Sequence, residues 1–298
     1  MRIRPRASFP YGAPTWPGGV PRPPVVRRTG VDYDTAWARR YPVRLARALV
    51  LDGVTRPLVQ AVASPTVDGL DRLASLGAPA IFAANHASHV DTPLVLTSLP
   101  ERFRHRTVVG AAADHFFDRR WKAGLWAFAI NAIPIERIRV SPQSTRMTTD
   151  LLADGWSLVI FPEGGRSPDG WAQPHRAGAA HLAVRTGVPL VPIHIEGSRR
   201  ILKKGGRGLR PSATHVTFGR PLLAEVGEGA RHFAARVERD IAVLADEQAN
   251  GFWLARKRAA TGATPSLTGP VATRWRRAWA LGAPAGRSRR SSSDWPRF

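Results

Sequence analysis

A histidine and an aspartate, His86 and Asp91, stand five positions apart directly after the apolar run of residues 78–84. A histidine can act as a general base near neutral pH, because its unperturbed pKa is about 6.5. A carboxylate bonded to the far ring nitrogen fixes the tautomer and stabilises the imidazolium that forms. Five residues rotate through roughly 500° on a regular helix, so the two side chains meet only if the chain turns between them. The spacing therefore predicts His86 at a strand end and Asp91 in a turn or a first helical turn.

Two other interpretations of this patch stay open at this point. A histidine and an aspartate at this spacing also arise by chance. His86, His89 and Asp91 could alternatively bind a metal, since imidazole and carboxylate groups are common metal ligands. No further dense cluster of ligand residues accompanies them in the sequence, so we expect no metal.

A second patch, residues 161–167, follows another apolar run, Ser157–Ile160. Its glycines let the backbone approach a ligand closely, and successive backbone N–H groups there can form a cup for an anion. Arg166 adds a planar guanidinium suited to phosphate. The alternative is a glycine-rich turn with a solvated arginine. A base at one strand end and an anion site at another are together suited to moving an acyl group onto a phosphate-bearing alcohol.

Two further apolar segments also predict strands. Residues 131–135 form one, and Arg137 closes it. Residues 188–195 form the other, which contains Pro189 and Pro192. Because proline cannot donate a hydrogen bond to its neighbour in a sheet, we expect this strand to lie away from the centre of the sheet.

In this order, the four segments resemble the motifs of the glycerolipid acyltransferase family, which includes the lysophosphatidate (1-acylglycerol-3-phosphate O-) acyltransferases. The first motif, Asn-His-x-Ser-x-x-Asp, is matched by Asn85, His86, Ser88 and Asp91. The second, a short apolar strand closing on an arginine, is matched by Ile133, Ile135 and Arg137. The third, Phe-Pro-Glu-Gly-Thr-Arg-Ser, is matched by Phe161, Pro162, Glu163, Gly164, Arg166 and Ser167. The fourth, an apolar Val-Pro-Ile strand, is matched by Val191, Pro192 and Ile193.

The resemblance covers residues 66–225 and departs from the family at Gly165, where threonine is usual. It implies that His86 is the base and that Asp91 orients it. It assigns the phosphate of the acceptor to a second set: Arg137, Glu163, Gly164, Gly165 and Arg166. It gives a supporting part to a third set: Asn85, Ser88, Pro162, Ser167 and Pro192. The missing threonine hydroxyl leaves the detailed geometry of the phosphate site open without affecting the base.

The resemblance also implies the substrates. The acyl donor would be acyl-CoA or acyl carrier protein, with no other cofactor. The acceptor would be a lysophospholipid, with 1-acylglycerol-3-phosphate expected first, in phospholipid biosynthesis. Two alternatives stay open: another acceptor, such as a lyso-aminolipid or a glycolipid precursor, and a non-enzymatic basic protein that binds membrane or nucleic acid.

The charge of the chain is concentrated near its two ends. Residues 1–30 hold six arginines and no acid, and residues 255–298 hold ten Lys/Arg against Asp294, within a total net charge of +22. We expect disordered basic tails at 1–32 and 255–298, because the first is rich in Pro and Gly and the second in Arg, Ser and Pro. Trp275 and Trp279 suit an interfacial helix. Contact with an anionic membrane is therefore expected first, an inert tail second, and nucleic acid last.

Between the tails we expect a single α/β domain, residues 66–254, with a mostly parallel sheet flanked by helices, because predicted strands alternate with helices. A helical segment, 33–65, precedes it. There Trp37, Tyr41, Leu45 and Leu49 recur every four residues, so this stripe either docks on the core or faces a membrane. The sequence has no run of 18 or more apolar residues. We therefore expect a peripheral protein on the cytoplasmic face of the cell membrane.

Overall fold

The computed structural model describes residue 30 and residues 32–136, 142–202 and 208–269. Its strands are β1 (Pro65–Asp68), β2 (Ile81–Ala84), β3 (Thr107–Ala112), β4 (Ala132–Ile135), β5 (Ser157–Ile160), β6 (Leu190–Glu196) and β7 (Thr214–Phe218). They form one seven-stranded sheet in the order β1-β7-β6-β2-β5-β3-β4. Every pairing is parallel except β6 with β7, which is antiparallel. The predicted α/β domain with a mostly parallel sheet is confirmed.

Helices cover both faces of the sheet. They are α1 (Tyr41–Val50), α2 (Arg56–Ala63), α3 (Asp91–Ser98), α4 (Glu101–Arg104), α5 (Ala113–Phe116), α6 (Arg120–Ile130), α7 (Pro142–Ala153), α8 (Gly178–Thr186), α9 (Ser198–Ile201), α10 (Ala230–Asn250) and α11 (Phe252–Ala260). One core cluster contains Phe82, and the cluster on the other face contains Ile81. Because β2 lies in the middle of the sheet, all four of its residues are buried.

The prediction that residues 188–195 lie away from the centre of the sheet is wrong. β6 pairs with β2 on one side and with β7 on the other. Pro192 is tolerated because it lies beside an irregularity in the β6–β7 ladder. Regular pairing stops at Ile193 with Phe218 and is followed by a separate bridge from Leu190 to Leu222. A proline inside a sheet is accommodated at such a position.

The segment expected to be helical at 33–65 forms two helices without a loop between them. Pro42 lies in the first turn of α1, where a proline removes no helical hydrogen bond. Pro57 lies in the first turn of α2, directly after an irregular helical turn. A π-helical turn, Leu51–Thr55, joins the two helices. Among the described residues, no helix is both long enough and apolar enough to cross a membrane.

The C-terminal boundary of the domain lies beyond the predicted residue 254. Helix α11 runs across that boundary, and its Ala255 is fully buried. The following residues return to the domain, where the backbone N–H of Ala172 donates to Leu267 O at 2.9 Å. Assigning residues 255–269 to a disordered tail is therefore wrong. The rest of that segment, with Trp275 and Trp279, lies outside the described residues, as do residues 1–29.

Candidate active site

The first and third motifs meet because the strands that precede them are neighbours. β2 and β5 are parallel and directly paired, so their carboxyl ends lie at the same edge of the sheet. His86 follows β2 by two residues, and Phe161 follows β5 directly. The two rings stack, with their centroids 4.1 Å apart and their planes inclined by 21°.

The predicted pair of His86 and Asp91 is formed. His86 Nδ1 and Asp91 Oδ2 are 2.8 Å apart, and the aspartate side chain is fully buried. Asp91 is the first residue of α3, which agrees with its predicted place in a first helical turn. The same Oδ2 accepts the backbone N–H groups of Ala87 at 2.7 Å and Ser88 at 2.8 Å. The carboxylate thus holds both the imidazole and the turn that presents it.

The free ring nitrogen of His86 is available for chemistry. Because Nδ1 is engaged with a carboxylate, it carries the proton, and Nε2 keeps its lone pair. The imidazole lies at the wall of a cavity of about 370 Å³. The residues that line it include polar and charged ones: His86, His89, His115, Glu136, Arg166 and Arg176. They also include apolar ones: Val109, Ala111, Phe116, Ile130, Ile135 and Ile160. Such a cavity can hold a molecule with one charged and one hydrocarbon end.

Glu163 is placed differently from the prediction. Its side chain is buried and does not line the cavity. Oε1 accepts the backbone N–H of His86 at 2.8 Å, and Oε2 accepts that of Gln173 at 2.8 Å. A carboxylate used in this way joins two loops and would repel a phosphate. Its assignment to phosphate contact is therefore corrected: Glu163 holds the backbone of His86, the candidate base.

The loop after Glu163 carries the predicted anion site. Gly164, Gly165 and Arg166 all line the cavity. Burial lowers the pKa of Arg166, and the charge of Asp91 opposes this effect, so the arginine lies within electrostatic reach of the dyad. The side-chain amide of Gln173 donates to the carbonyls of Gly165 and Arg166, each at 3.2 Å. These two bonds fix the backbone at the position where the threonine hydroxyl is missing.

The residues predicted to support the motifs act through hydrogen bonds to the backbone and through packing. Asn85 pairs with both backbone groups of Ile195, at 2.9 Å to the carbonyl and 2.7 Å to the N–H. Ser88 Oγ donates to Leu202 O at 2.8 Å. The backbone N–H of Ser167 donates to His86 O at 2.8 Å. Pro162 lines the cavity, whereas Pro192 lies in β6, next to the strand that leads to His86.

Arg137 lies outside the described residues. The two residues before it, Ile135 and Glu136, line the same cavity as His86. The second motif is therefore at this site as far as the described chain extends. The sequence predicts that Arg137 contributes a charge there, and this stays a prediction.

Three residues of the cavity wall were missed by sequence reasoning. His89, which the sequence offered only as a possible metal ligand, lies in the cavity wall with His115, and their rings are nearly parallel, with centroids 6.5 Å apart. Burial, followed by the charge of Arg166, lowers the pKa of His89 to about 4, so it is neutral near pH 7. The sequence held one signal for His89, namely its position three residues after His86. Arg176 lies outside every motif, and nothing in the sequence pattern marked it.

Two further histidines, His175 and His194, do not line this cavity. His194 Nδ1 is 2.9 Å from Gln248 Oε1, so this histidine has a structural partner. Burial lowers the pKa of His175 to about 4. Within the described part of the chain, no group of three or more His, Cys, Asp or Glu residues could hold a metal ion.

The histidine–aspartate pair and the arginine loop both lie within a segment that matches a known family. Residues 64–196 match the family model described as Acyltransferase. This segment, which contains His86, Asp91 and Arg166, is therefore similar to that family.

Individual relatives agree with this assignment. The chain is 30% identical over 146 residues to the chloroplastic 1-acyl-sn-glycerol-3-phosphate acyltransferase BAT2 of Brassica napus, covering 48% of this chain and 40% of that protein. It is 31% identical over 121 residues to the human 1-acyl-sn-glycerol-3-phosphate acyltransferase alpha, covering 39% of this chain and 40% of that protein. The chain thus spans about two fifths of the length of these curated relatives.

A solved structure shares the fold. The 1-acyl-sn-glycerophosphate (LPA) acyltransferase PlsC from Thermotoga maritima aligns with a TM-score of 0.52 at 22% identity, covering 70% of this chain and 84% of that one. At this identity the likeness shows the common fold, with the sheet and its flanking helices.

Proposed function

We propose that this protein transfers a fatty acyl group from a thioester to the hydroxyl of a lysophospholipid, with 1-acylglycerol-3-phosphate as the acceptor. One observation carries the proposal: the dyad of His86 and Asp91 leaves Nε2 free at a cavity that Arg166 also lines. The curated relatives named above as 1-acyl-sn-glycerol-3-phosphate acyltransferases support the choice of acceptor. The donor is acyl-CoA or acyl carrier protein.

The reaction follows from the free nitrogen of the base. His86 Nε2 takes the proton of the acceptor hydroxyl while the oxygen attacks the thioester carbonyl. A carbon–oxygen bond forms, the carbon–sulfur bond breaks, and the imidazolium returns the proton to the thiolate. Buried Asp91 stabilises the transient imidazolium. The sequence has no cysteine, and direct transfer needs no acyl-enzyme intermediate.

The cavity has groups that can bind each of the two ends of such an acceptor. Arg166 provides a charged fork for the phosphate. The apolar wall, which includes Ile130, Ile135 and Ile160, suits hydrocarbon. A phosphate-bearing lipid with one acyl chain therefore fits both parts of the wall.

The test is release of free thiol from acyl-CoA or acyl carrier protein in the presence of a panel of lysolipids, with acyl transfer confirmed by product mass. We expect the highest rate with 1-acylglycerol-3-phosphate. If a lyso-aminolipid or a lysoglycolipid reacts faster, that lipid is the acceptor, and the proposed acyl transfer still holds. The absence of acceptor-dependent thiol release across the panel would contradict acyl transfer.

We also propose that the outer face of the N-terminal helices docks on an anionic bilayer. In helix α1 the large apolar side chains face outward, whereas in a helix packed on a core they face inward. Tyr41, Leu45 and Leu49 are 74%, 50% and 67% exposed. Arg47 points inward instead, where its Nη1 donates to Ala38 O at 2.7 Å. A helix that exposes its large apolar side chains and buries an arginine has its apolar face arranged for a partner.

The apolar stripe continues through the π-helical turn into α2. The hydrogen bonds of a π-helical turn span five residues, and Val54 follows Leu49 by five residues across this turn. Leu58 then follows at helical spacing, and Val54 and Leu58 are 61% and 60% exposed. Helix α6 packs against α1 and adds the exposed Trp121 and Leu125. Exposed arginines accompany this face, at positions 40, 56, 119 and 120.

A bilayer is the partner that we assign, because a broad apolar stripe with basic residues around it matches an anionic interface. The test compares Leu45→Glu/Leu49→Glu with the matched control Leu223→Glu, which alters another exposed leucine. Co-sedimentation with anionic vesicles should fall at least tenfold in the double variant alone, since each buried leucine contributes about 1.5–3 kcal/mol. Equal sedimentation of the double variant and the control would contradict docking through this face.

A further inference from the structure

Arg176 occupies a fixed place beside the Phe161–Ser167 loop. Its backbone N–H donates to Pro162 O at 2.8 Å, which attaches the start of the α8 region to this loop. Its side chain lines the same cavity as His86 and Arg166. The residue therefore combines an anchored main chain with a cation directed to the site.

Gly164 makes room for this side chain. A Cβ atom at position 164 would lie 2.7 Å from Arg176 Nε and 3.0 Å from Arg176 Cδ. Real Cβ atoms essentially never approach another atom as closely as 2.7 Å, so the guanidinium would have to move. Gly164 also has a φ of +70°, which favours glycine in any case. Gly164 thus allows both the positive φ of the turn and the close approach of the Arg176 side chain.

The charge balance of the wall favours an anion. Among the described residues that line the cavity, the cations are Arg166 and Arg176, and the carboxylate is Glu136. Each guanidinium offers a planar pair of N–H donors that matches two phosphate oxygens. Gly164 and Gly165, which directly precede Arg166 and also line the cavity, allow close approach of a ligand.

We propose that Arg176 is a second anion-binding residue of this cavity and takes a phosphate group of one substrate. The inference deepens the proposed function and rests on it for the choice of substrates. The shared chemistry is a phosphate ester. It could come from the acceptor, or from the phosphopantetheine that acyl-CoA and acyl carrier protein have in common.

The first experiment measures binding without turnover, so its outcome is separate from that of the proposed reaction. Glycerol 3-phosphate and free coenzyme A are each titrated calorimetrically into full-length protein carrying His86→Ala, with and without Arg176→Ala. The matched control adds Arg185→Ala, an exposed arginine in α8 that does not line the cavity. We expect Arg176→Ala to weaken one of the two ligands about ten- to hundredfold, as the loss of bonds to a charged group predicts.

The identity of the weakened ligand assigns the phosphate. Loss for glycerol 3-phosphate alone places Arg176 at the acceptor, and loss for coenzyme A alone places it at the donor. Unchanged binding of both ligands, or failure of the His86→Ala protein itself to bind either, overturns the proposal. If acyl transfer fails in the lysolipid assay while phosphate binding still depends on Arg176, the anion site stands and the reaction does not.

The second experiment separates binding from a structural effect. In the otherwise unaltered protein, Arg176→Ala should raise the Michaelis constant of one substrate with kcat nearly unchanged. Arg176→Lys keeps the charge and loses the planar guanidinium. Its Michaelis constant should lie between those of the unaltered protein and of the Arg176→Ala variant. A fall in kcat with both Michaelis constants unchanged would show that Arg176 only supports the loop, and it would overturn the proposal.

Discussion

The carboxylate of Glu163 accepts the backbone N–H of His86 at 2.8 Å, and this bond ties the loop after β5 to the base after β2. The other oxygen of Glu163 accepts the N–H of Gln173, whose side chain in turn holds the carbonyls of Gly165 and Arg166. One buried carboxylate therefore sets both the position of the base and the shape of the anion loop. The candidate base and the candidate anion site are in this way parts of one hydrogen-bonded unit.

The dyad gives the first prediction. His86→Ala should lower kcat about 10²–10⁴-fold, because a positioned general base contributes that much. Asp91→Asn should also be severe. Two backbone N–H groups at Oδ2 favour the amide oxygen there, so this variant keeps the turn and loses the charge that stabilises the imidazolium. Steady-state thiol release measures both effects.

The control for the dyad is His232→Ala, which changes an exposed histidine in α10 outside the cavity wall. Circular dichroism and thermal unfolding establish that each variant is folded. Near-normal turnover in a well-folded His86→Ala protein would rule out this mechanism.

Glu163 gives the second prediction. Glu163→Gln replaces one of two acceptor oxygens with a donor that faces a backbone N–H. We expect kcat to fall more than tenfold with little change in either Michaelis constant, since hydrogen bonds to a charged group are worth about 1.5–3 kcal/mol. The matched control is Glu225→Gln, at an exposed surface carboxylate. If the Michaelis constant of the acceptor rose instead, Glu163 would act in acceptor binding and not through His86.

Arg166 gives the third prediction. Arg166→Ala should raise the Michaelis constant for a phosphorylated acceptor about ten- to hundredfold, and more than that for the donor, because a charged bond to phosphate is lost. The sequence predicts the same for Arg137→Ala. Acceptor titration at saturating donor measures the effect, with Arg185→Ala as the control. Equal losses for acceptor and donor would mean that these arginines serve the fold or the phosphates of the donor.

Gln173 gives the fourth prediction. Gln173→Ala removes the two side-chain bonds to the carbonyls of Gly165 and Arg166 and keeps the backbone bond to Glu163. Each neutral bond contributes about 0.5–1.5 kcal/mol, so we expect the acceptor Michaelis constant to rise several-fold with kcat retained. Gln143→Ala, in α7 and outside that cavity wall, is the control. An unchanged acceptor constant would show that the loop keeps its shape without Gln173.

The sequence was sufficient for the dyad because strand and loop signals are local. An apolar run that ends in His86 predicts a strand end, and Asp91 at a helix start follows from its neighbours. The parallel sheet could be inferred from alternation of strands and helices. By contrast, the place of β6 depends on how Gly219 to Leu222 interrupt the ladder beside Pro192. That interruption involves a segment about thirty residues away, and no local rule contains it.

Contacts between distant loops account for the residues that the sequence misassigned. Glu163 belongs to a motif, yet its partners are backbone N–H groups, which carry no sequence signal. Arg176 lies directly against Gly164, a contact between positions twelve residues apart. The exposed stripe of α1 was visible as a period of four, but periodicity alone does not tell which face points outward. The inward-facing Arg47 settles that point.

His175 gives the last prediction, which concerns stability against pH. Burial lowers its pKa to about 4 in the folded protein, whereas an unfolded histidine has a pKa of about 6.5. Above pH 6.5 the residue is neutral in both states and contributes nothing to pH dependence. As the pH falls from 6.5 to 4, the unfolded chain binds a proton that the folded one does not, so stability falls. His175→Leu should remove up to about 3 kcal/mol of this loss. Urea unfolding at pH 7.5, 6 and 4.5 gives the free energy of unfolding at each pH, and its slope against pH should be smaller in this variant than in the unaltered protein. His232→Leu should leave the slope unchanged, and equal slopes in all three proteins would show that His175 titrates normally when folded.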